Sequence, residues 1–228
     1  MPCRVNKKRL WAHRMMLEST QHEGSSFATL TYSDENIPEG STLRPDHLKN
    51  WLKRLRKRLS PLKIRYFGVG EYGEKTERPH YHVGLFGVDP YTAGGPDGMS
   101  GPVKDTWGSG HTFVGSLTRD SASYIAGYVT KKMTHTKDKC NKYCTHSPLG
   151  DRHPEFARMS LKPGIGAGAM EDVANTYMAH DENLDQIVLD DDVTNVLQKG
   201  RSKFPIGRYL KSVLRKELGY EKEAPLRS

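Results

Sequence analysis

Residues 64–87, IRYFGVGEYGEKTERPHYHVGLFG, contain the pattern that decides the fold of this chain. Its first part, IRYFGVGE (64–71), and its last part, HYHVGLFG (80–87), are rich in the β-branched and aromatic residues that strands favour. The polar segment YGEKTERP between them is typical of a hairpin loop. The sequence therefore predicts two neighbouring strands that pair antiparallel.

Two histidines alternate with Tyr81 in the second of these strands. Because successive side chains of a strand point to opposite faces, His80 and His82 should share one face and Tyr81 should point to the other. Glu71 lies on the partner strand, within reach of a cross-strand contact. Two imidazoles and a carboxylate suit Mn²⁺ or Zn²⁺ and leave coordination positions open, as a catalytic metal site requires. An HxH pair in a strand is also often incidental.

Hydrophobic periodicity predicts further elements around this hairpin. They are a basic helix at 6–18, a strand at 26–32, an amphipathic helix at 45–59, a strand at 111–117 and a helix from 120 to 133. The glycine, proline and aspartate content of 88–110 predicts a long loop. The order of elements predicts an α+β fold: an antiparallel sheet of four to five strands, with the helices packed on one face.

The signals weaken after Met133. We therefore predict a catalytic domain at 1–133 and an accessory region at 134–228 that is loop-rich and then partly helical, with helices near 170–180 and 208–218. The cysteines at 140 and 144, with the histidines at 135, 146 and 153, are spaced permissively for structural zinc. No CxxC pattern accompanies them and Cys3 is remote, so the prediction is against zinc.

The charge of the chain is uneven. The net charge is +8, and nine Lys or Arg residues but one acidic residue lie between Arg44 and Arg65. Eight acidic and no basic residues lie between Glu171 and Asp192. The basic half should attract a polyanion such as nucleic acid, although a solvated helix face gives the same pattern. The predicted DNA contacts are Lys53, Arg54, Lys57, Arg58, Arg78 and Lys132.

The chain carries no recognisable targeting signal. Its first residues mix charges into every turn, no segment is apolar enough to span a membrane, and the three cysteines are an odd number. These features predict a soluble protein in a reducing compartment, with no membrane partner.

Tyr124 and Tyr128 stand one turn apart in the predicted helix at 120–133, and Lys131 follows them. Residues at this spacing project from the same helix face, so two phenols could act side by side as nucleophiles. Lys131 could then serve as their charge partner. Tyrosines at this spacing also commonly do no more than pack against a sheet.

Three segments in order, FATLTY, GEYGEKTERPHYH and YIAGYVTKK, resemble the three motifs of the HUH endonuclease superfamily. The tyrosine pair followed by lysines resembles the two-tyrosine replication initiators of small single-stranded DNA phages. RPHYHVGLFG and FPIGRYL are similar to segments of the Microviridae initiators, in particular the gokushovirus branch. The resemblance covers about residues 3–132 well and the remainder thinly.

This resemblance implies a sheet of the HUH/RRM-like type, with a ferredoxin-like split β-α-β order. It implies that one tyrosine, with Tyr128 preferred as the first, attacks a phosphodiester to give a 5′-phosphotyrosyl link and a free 3′-hydroxyl, and that the second permits circle closure. It also implies Mg²⁺ or Mn²⁺, a single-stranded DNA origin, a host helicase and replication machinery, and action in the cytoplasm of a bacterial host. The chain contains no GxxxxGK[ST] phosphate loop, in keeping with a reaction that needs no ATP.

Two other functions remain open from the sequence. A relaxase or transposase of the same superfamily would use the same histidines and tyrosines. A non-catalytic protein that binds single-stranded nucleic acid would use the tyrosines for base stacking or for packing.

Overall fold

A computed structural model of the chain describes residues 2–91, 98–131, 152–179, 188–189 and 192–220. The helices are α1 (Pro2–Ser19), α2 (Pro45–Arg58), α3 (Ser100–Trp107), α4 (Arg119–Lys131), α5 (Ala169–Met178) and α6 (Gly207–Glu217). The strands of the main sheet are β1 (Ser25–Thr31), β2 (Arg65–Tyr72), β3 (Pro79–Phe86), β4 (Thr112–Ser116) and β5 (Phe156–Met159). Four short strands follow: β6 (Val188–Leu189), β7 (Asp192–Val193), β8 (Val196–Lys199) and β9 (Ser202–Pro205).

The predicted hairpin forms the centre of a five-stranded antiparallel sheet with the order β4-β1-β3-β2-β5. This confirms the predicted α+β class and the predicted number of strands. β5 was not predicted, and it adds an edge strand from sequence beyond residue 133. The division of the chain at residue 133 stays a prediction, although the sheet draws strands from both sides of it.

One face of the sheet packs against α2 and α3. α2 begins with Pro45 at its first turn and presents an apolar side to the sheet, while its basic side chains lie on the opposite, exposed side. The core on this face includes Trp51 of α2, Tyr81 of β3 and Trp107 of α3. These three side chains are almost completely buried. The amphipathic helix predicted at 45–59 is therefore confirmed.

The other face of the sheet packs against α1 and α4, so the prediction that all helices lie on one face was wrong. The physical reason is visible in β2 and β3, which are buried on both faces rather than on alternate residues. Phe67 and Val69 of β2 and Ile125 of α4 form this second core. Central strands with apolar side chains on both faces need a helical layer on each.

α3 lies within residues 88–110, which the sequence predicts as loop, so that prediction was also wrong in part. The helix has only eight residues and contains Pro102, which weakens its periodic signal. Val103 and Trp107 are buried against α2 and the sheet. Gly108, at φ 62°, ends the helix. Tertiary packing rather than local propensity accounts for this helix.

α1 is held in place by its C-terminal half. The buried carboxylate of Glu18 accepts hydrogen bonds from the Arg65 guanidinium and from the Gly166 N–H, the latter at 2.7 Å. Leu17 packs against a third apolar cluster formed mainly by α5, α6 and strands β7 and β8. The predicted helices near 170–180 and 208–218 are confirmed as α5 and α6.

In the ranges that the structure describes, no helix has the length and apolar character needed to cross a membrane.

Candidate active site at the tyrosine helix

His80 and His82 lie on the face of β3 that α4 covers, as the alternation of the strand predicts. Tyr81 points into the opposite core, where its hydroxyl lies 2.7 Å from that of Tyr32. The strand period alone thus predicts both placements. Tyr81 lies in the opposite core, and His80 and His82 lie on the α4 side.

Glu71 stands directly opposite His80 in the β2–β3 ladder. Its Oε1 lies 2.6 Å from Nε2 of His80 and 2.9 Å from Nε2 of His82. The carboxylate is 1% exposed. The cross-strand contact that the sequence predicts is therefore present, and it converges both imidazoles on one oxygen.

Each imidazole is oriented by a partner on its other nitrogen. Nδ1 of His82 lies 2.9 Å from Oγ1 of Thr29 on β1, and Nδ1 of His80 lies 2.9 Å from the carbonyl oxygen of Arg78. Such partners fix the ring orientation, so that both Nε2 atoms face Glu71. Thr29 was not among the predicted site residues. Its signal was its position in FATLTY, but the strand pairing that brings it to His82 is not visible in the sequence.

Hydrogen bonding in this group shifts the pKa values of Glu71 and His80. Burial alone would raise the pKa of Glu71, but hydrogen bonds from His80 and His82 outweigh it and leave that pKa below its usual value. Burial alone would lower the pKa of His80, yet the hydrogen bond with Glu71 raises it. The carboxylate of Glu71 therefore stays negatively charged although it is buried.

The group fits a divalent metal ion. One ligand atom from each of Glu71, His80 and His82 lies within 4.8 Å of the others. The second carboxylate oxygen, Oε2 of Glu71, is buried and has no hydrogen-bond partner among the described residues. A buried carboxylate oxygen without a partner is costly, and a bound cation would satisfy it. These residues could therefore hold a metal ion.

Tyr124 and Tyr128 of α4 stand over the metal-ligand group. The hydroxyl of Tyr128 donates a hydrogen bond of 2.8 Å to that of Tyr124. The ring of His82 lies 5.0 Å from the ring of Tyr124 and 5.9 Å from that of Tyr128, centroid to centroid. The structure thus brings together the two groups of residues that the sequence predicts as one site.

The two phenols differ in environment. Tyr124 is 45% exposed, whereas Tyr128 is partly buried against the sheet-side core. Burial, the hydrogen bond with Tyr124 and the charge of Glu71 raise the pKa of Tyr128 above its usual value. A nearby cation would oppose this rise in the pKa of Tyr128.

A pocket of about 490 Å³ opens beside the tyrosines. It is lined by Lys8, Glu71, Gly73, Glu74, His80, Tyr124, Gly127 and Tyr128. A Cβ atom on Gly127 would lie 3.9 Å from Nζ of Lys8, so the lysine of α1 approaches α4 at Gly127, in the pocket that the two tyrosines also line. Lys8 was missed by sequence reasoning. The sequence shows Lys8 only as one of several basic residues in the predicted helix at 6–18, which is far from the tyrosines in sequence.

The remaining predicted site residues lie elsewhere. The basic residues of α2 are exposed on the far face of the sheet from the tyrosines, and one of them, Arg54, donates to the carbonyl oxygen of Thr106 at 2.8 Å. Arg78 donates to the carbonyl oxygen of Tyr32 and forms an ion pair with Asp34 at the edge of the site. The predicted contacts to DNA therefore stay predictions.

Several predicted residues fall outside the described part of the chain. The side chain of Lys131 and all of Lys132 are among them. So is most of the group considered for zinc, with His153 as its one described member. That histidine donates a 2.6 Å hydrogen bond from Nδ1 to the carbonyl oxygen of its neighbour Pro154.

Known proteins resemble this chain. A family model described as replication-associated protein ORF2/G2P matches residues 25–133. Replication-associated protein VP4 of Bdellovibrio phage phiMH2K is 36% identical over 160 residues, and ORF2 of Spiroplasma virus 4 is 30% identical over 231 residues. These matches cover 63% and 94% of this chain and 50% and 66% of the two relatives. The chain thus spans between about half and two thirds of their lengths. A comparison with solved structures gives no match.

Proposed function

Because a family model described as replication-associated protein ORF2/G2P matches residues 25–133 of the chain, we propose that the protein is a rolling-circle replication initiator that nicks and rejoins single-stranded DNA through a tyrosine. The observation that carries the proposal is that Tyr124 and Tyr128, with their hydroxyls hydrogen-bonded, share a pocket with Glu71 and His80, while the ring of His82 packs against both tyrosines. The relatives bear the name of replication-associated proteins. The nicking chemistry is inferred from this chain's own residues.

In the proposed reaction a phenol oxygen attacks the phosphorus of a phosphodiester. A bond forms between that oxygen and phosphorus, and the bond to the 3′-oxygen breaks; the 3′-oxygen takes up a proton as the phenol loses one. The strand is left with a 5′-phosphotyrosyl link and a 3′-hydroxyl that can prime synthesis. The number of phosphodiester bonds is conserved, so the step is reversible and the strand can be rejoined without ATP.

The energetic problem is the acidity of the phenol. An ordinary phenol of pKa about 10 is mostly protonated at pH 7, a deficit of roughly 4 kcal/mol. Burial and Glu71 make that deficit larger for Tyr128. A divalent ion held by Glu71, His80 and His82 would supply positive charge to the phosphate oxygens. We propose Mg²⁺ or Mn²⁺, with Mn²⁺ the better match to two imidazoles.

Lys8 is the lysine that lines the tyrosine pocket, and we propose that it stabilises the phenolate and the scissile phosphate. With saturating DNA, Lys8→Ala should lower the single-turnover cleavage rate about tenfold. This loss of rate is smaller than the loss typical of removing a hydrogen-bond donor from a water-excluded active site, because solvent reaches the Lys8 side chain and screens its charge. Lys8→Arg should retain most of the rate. Lys7→Ala, which removes an exposed charge from the same helix, is the matched control. If Lys8→Ala and Lys7→Ala lower the cleavage rate equally, the effect comes from the overall charge of the protein and not from Lys8 in the pocket.

The basic face of α2 remains the predicted DNA-binding surface, on the far side of the sheet from the tyrosines. Replacing Lys53, Arg54, Lys57 and Arg58 with alanine should weaken binding to single-stranded DNA. It should also reduce the salt slope by roughly 0.7 for each phosphate that the protein no longer neutralises. Fluorescence anisotropy at several salt concentrations measures both. Unchanged affinity and slope would mean that DNA does not contact this face.

The partners follow from the proposed reaction. The substrate is a single-stranded DNA origin; a host helicase would separate the strands and a host polymerase would extend the 3′-hydroxyl. The site of action is then the cytoplasm of the bacterial host.

A single assay tests the proposal against its alternatives. The protein is incubated with a 3′-end-labelled single-stranded oligonucleotide and Mn²⁺, and covalent adducts are resolved by denaturing electrophoresis. A labelled band at the mass of protein plus DNA supports the enzyme. Binding without any adduct in Mn²⁺ or Mg²⁺ would favour a non-catalytic binder of single strands. Adducts that form without circle closure on a substrate with two sites would point to a relaxase or transposase.

A further inference from the structure

Phe113 on β4 is an exposed aromatic side chain beside the candidate active site. It is 61% exposed. In the β1–β4 ladder it stands directly opposite Thr29, and Thr29 in turn stands opposite His82 in the β1–β3 ladder. Directly opposed residues share a face, so Phe113 lies on the same face of the sheet as the histidines and the tyrosine helix.

Aromatic rings connect Phe113 to the tyrosines. Its centroid is 6.4 Å from that of Phe27, which is stacked on His82 at 5.7 Å with an interplanar angle of 11°. His82 lies 5.0 Å from Tyr124. The row of rings therefore runs from the edge strand of the sheet to the proposed nucleophiles.

The end of this row formed by β4 is open. α1 and α4 contact β2 and β3, while β4 is the edge strand next to β1. A Cβ on Gly115 would lie 3.4 Å from two ring atoms of Phe113, so the ring lies along the strand beside Gly115. The result is an exposed aromatic ring at Phe113, packed edge to face on Phe27, that is linked through His82 to Tyr124 of the pocket.

We propose that Phe113 and Phe27 form a stacking surface for an unpaired nucleobase of the DNA strand that enters the tyrosine pocket. The inference rests on the proposed function for the nature of the substrate. An unpaired base has two π faces that a flat exposed ring can cover, whereas the faces of paired bases in a duplex are already stacked. Stacking at Phe113 would fix the strand beside Tyr124 and favour single strands over duplex.

The test measures binding separately from chemistry. It uses the double variant Tyr124→Phe/Tyr128→Phe, without metal, and a single-stranded thymidine oligonucleotide followed by fluorescence anisotropy. Phe113→Ala in this background should weaken binding about tenfold, while Phe113→Trp should keep it. Tyr91→Ala is the matched control, because Tyr91 is 71% exposed and follows the end of β3 that is remote from His80.

A second measurement separates stacking from a general structural effect. An abasic position is moved along the oligonucleotide one nucleotide at a time. At one position the missing base should weaken binding to the Phe113-containing protein, and the same position should have no effect in Phe113→Ala. Equal affinity of Phe113→Ala and its parent, or an abasic penalty that persists in Phe113→Ala, would overturn the stacking surface. If stacking is found but the wild-type chain forms no covalent adduct, the binding inference stands and the enzymatic proposal fails.

Discussion

The double variant Tyr124→Phe/Tyr128→Phe is expected to form no covalent adduct with single-stranded DNA. Phenylalanine keeps the ring that packs near His82 but lacks the oxygen that would bond to phosphorus. The fold should be retained, because Tyr124 is largely exposed and the hydroxyl of Tyr128 bonds only to that of Tyr124 among the described residues. The measurement is the yield of labelled adduct with Mn²⁺. Tyr91→Phe serves as the control, and an adduct formed by the double variant would remove the tyrosine mechanism.

The two single variants decide the order of attack. The resemblance to phage initiators predicts Tyr128 as the first nucleophile. The exposure of the two phenols gives a reason for the opposite order: Tyr124 is the more exposed and is therefore more accessible to a phosphodiester. If Tyr128 attacks first, Tyr128→Phe should eliminate the first adduct and Tyr124→Phe should retain it. The reverse pattern would assign the first step to Tyr124.

Replacing a ligand of the proposed metal is expected to have the second large effect. Glu71→Gln removes the negative charge that faces both imidazoles at nearly the same volume, and His80→Ala removes one imidazole. Each should lower Mn²⁺-dependent cleavage by more than about a hundredfold, because removing even a hydrogen-bond partner of a metal ligand typically costs about ten- to hundredfold. Mn²⁺ affinity, measured by calorimetry, should fall in parallel.

A matched control separates metal binding from a general change in charge. Glu217→Gln neutralises an exposed carboxylate on α6, outside the site, and should leave cleavage and Mn²⁺ affinity unchanged. Thermal melting of each variant shows whether the fold persists. A folded Glu71→Gln protein that binds Mn²⁺ and cleaves at the normal rate would exclude this group as the metal site.

The sequence was sufficient to predict the elements that carry the site. The strand period placed His80 and His82 on one face, and the hairpin brought Glu71 opposite them. The helical period placed Tyr124 and Tyr128 side by side. These are local regularities, and each needs only the geometry of one strand pair or one helix turn.

Contacts between distant segments could not be predicted in this way. Nothing in the sequence shows that α1 crosses α4 at Gly127 and brings Lys8 to the tyrosines, or that β1 brings Thr29 to His82. The position of α2 on the far face depends on how both faces of the central strands are covered. Similarly, Phe113 in an edge strand looks like an ordinary core residue until its exposure is known. Tertiary packing determines all four placements.

Peptide mapping of the covalent product tests the central claim most directly. Wild-type protein is reacted with single-stranded DNA and Mn²⁺, treated with nuclease and protease, and the nucleotide-bearing peptide is sequenced by mass spectrometry. We predict a nucleotide joined through its 5′-phosphate to Tyr124 or Tyr128 of α4. Cleaved DNA with a free 5′-phosphate and no modified peptide, or a nucleotide on a residue outside α4, would contradict the account.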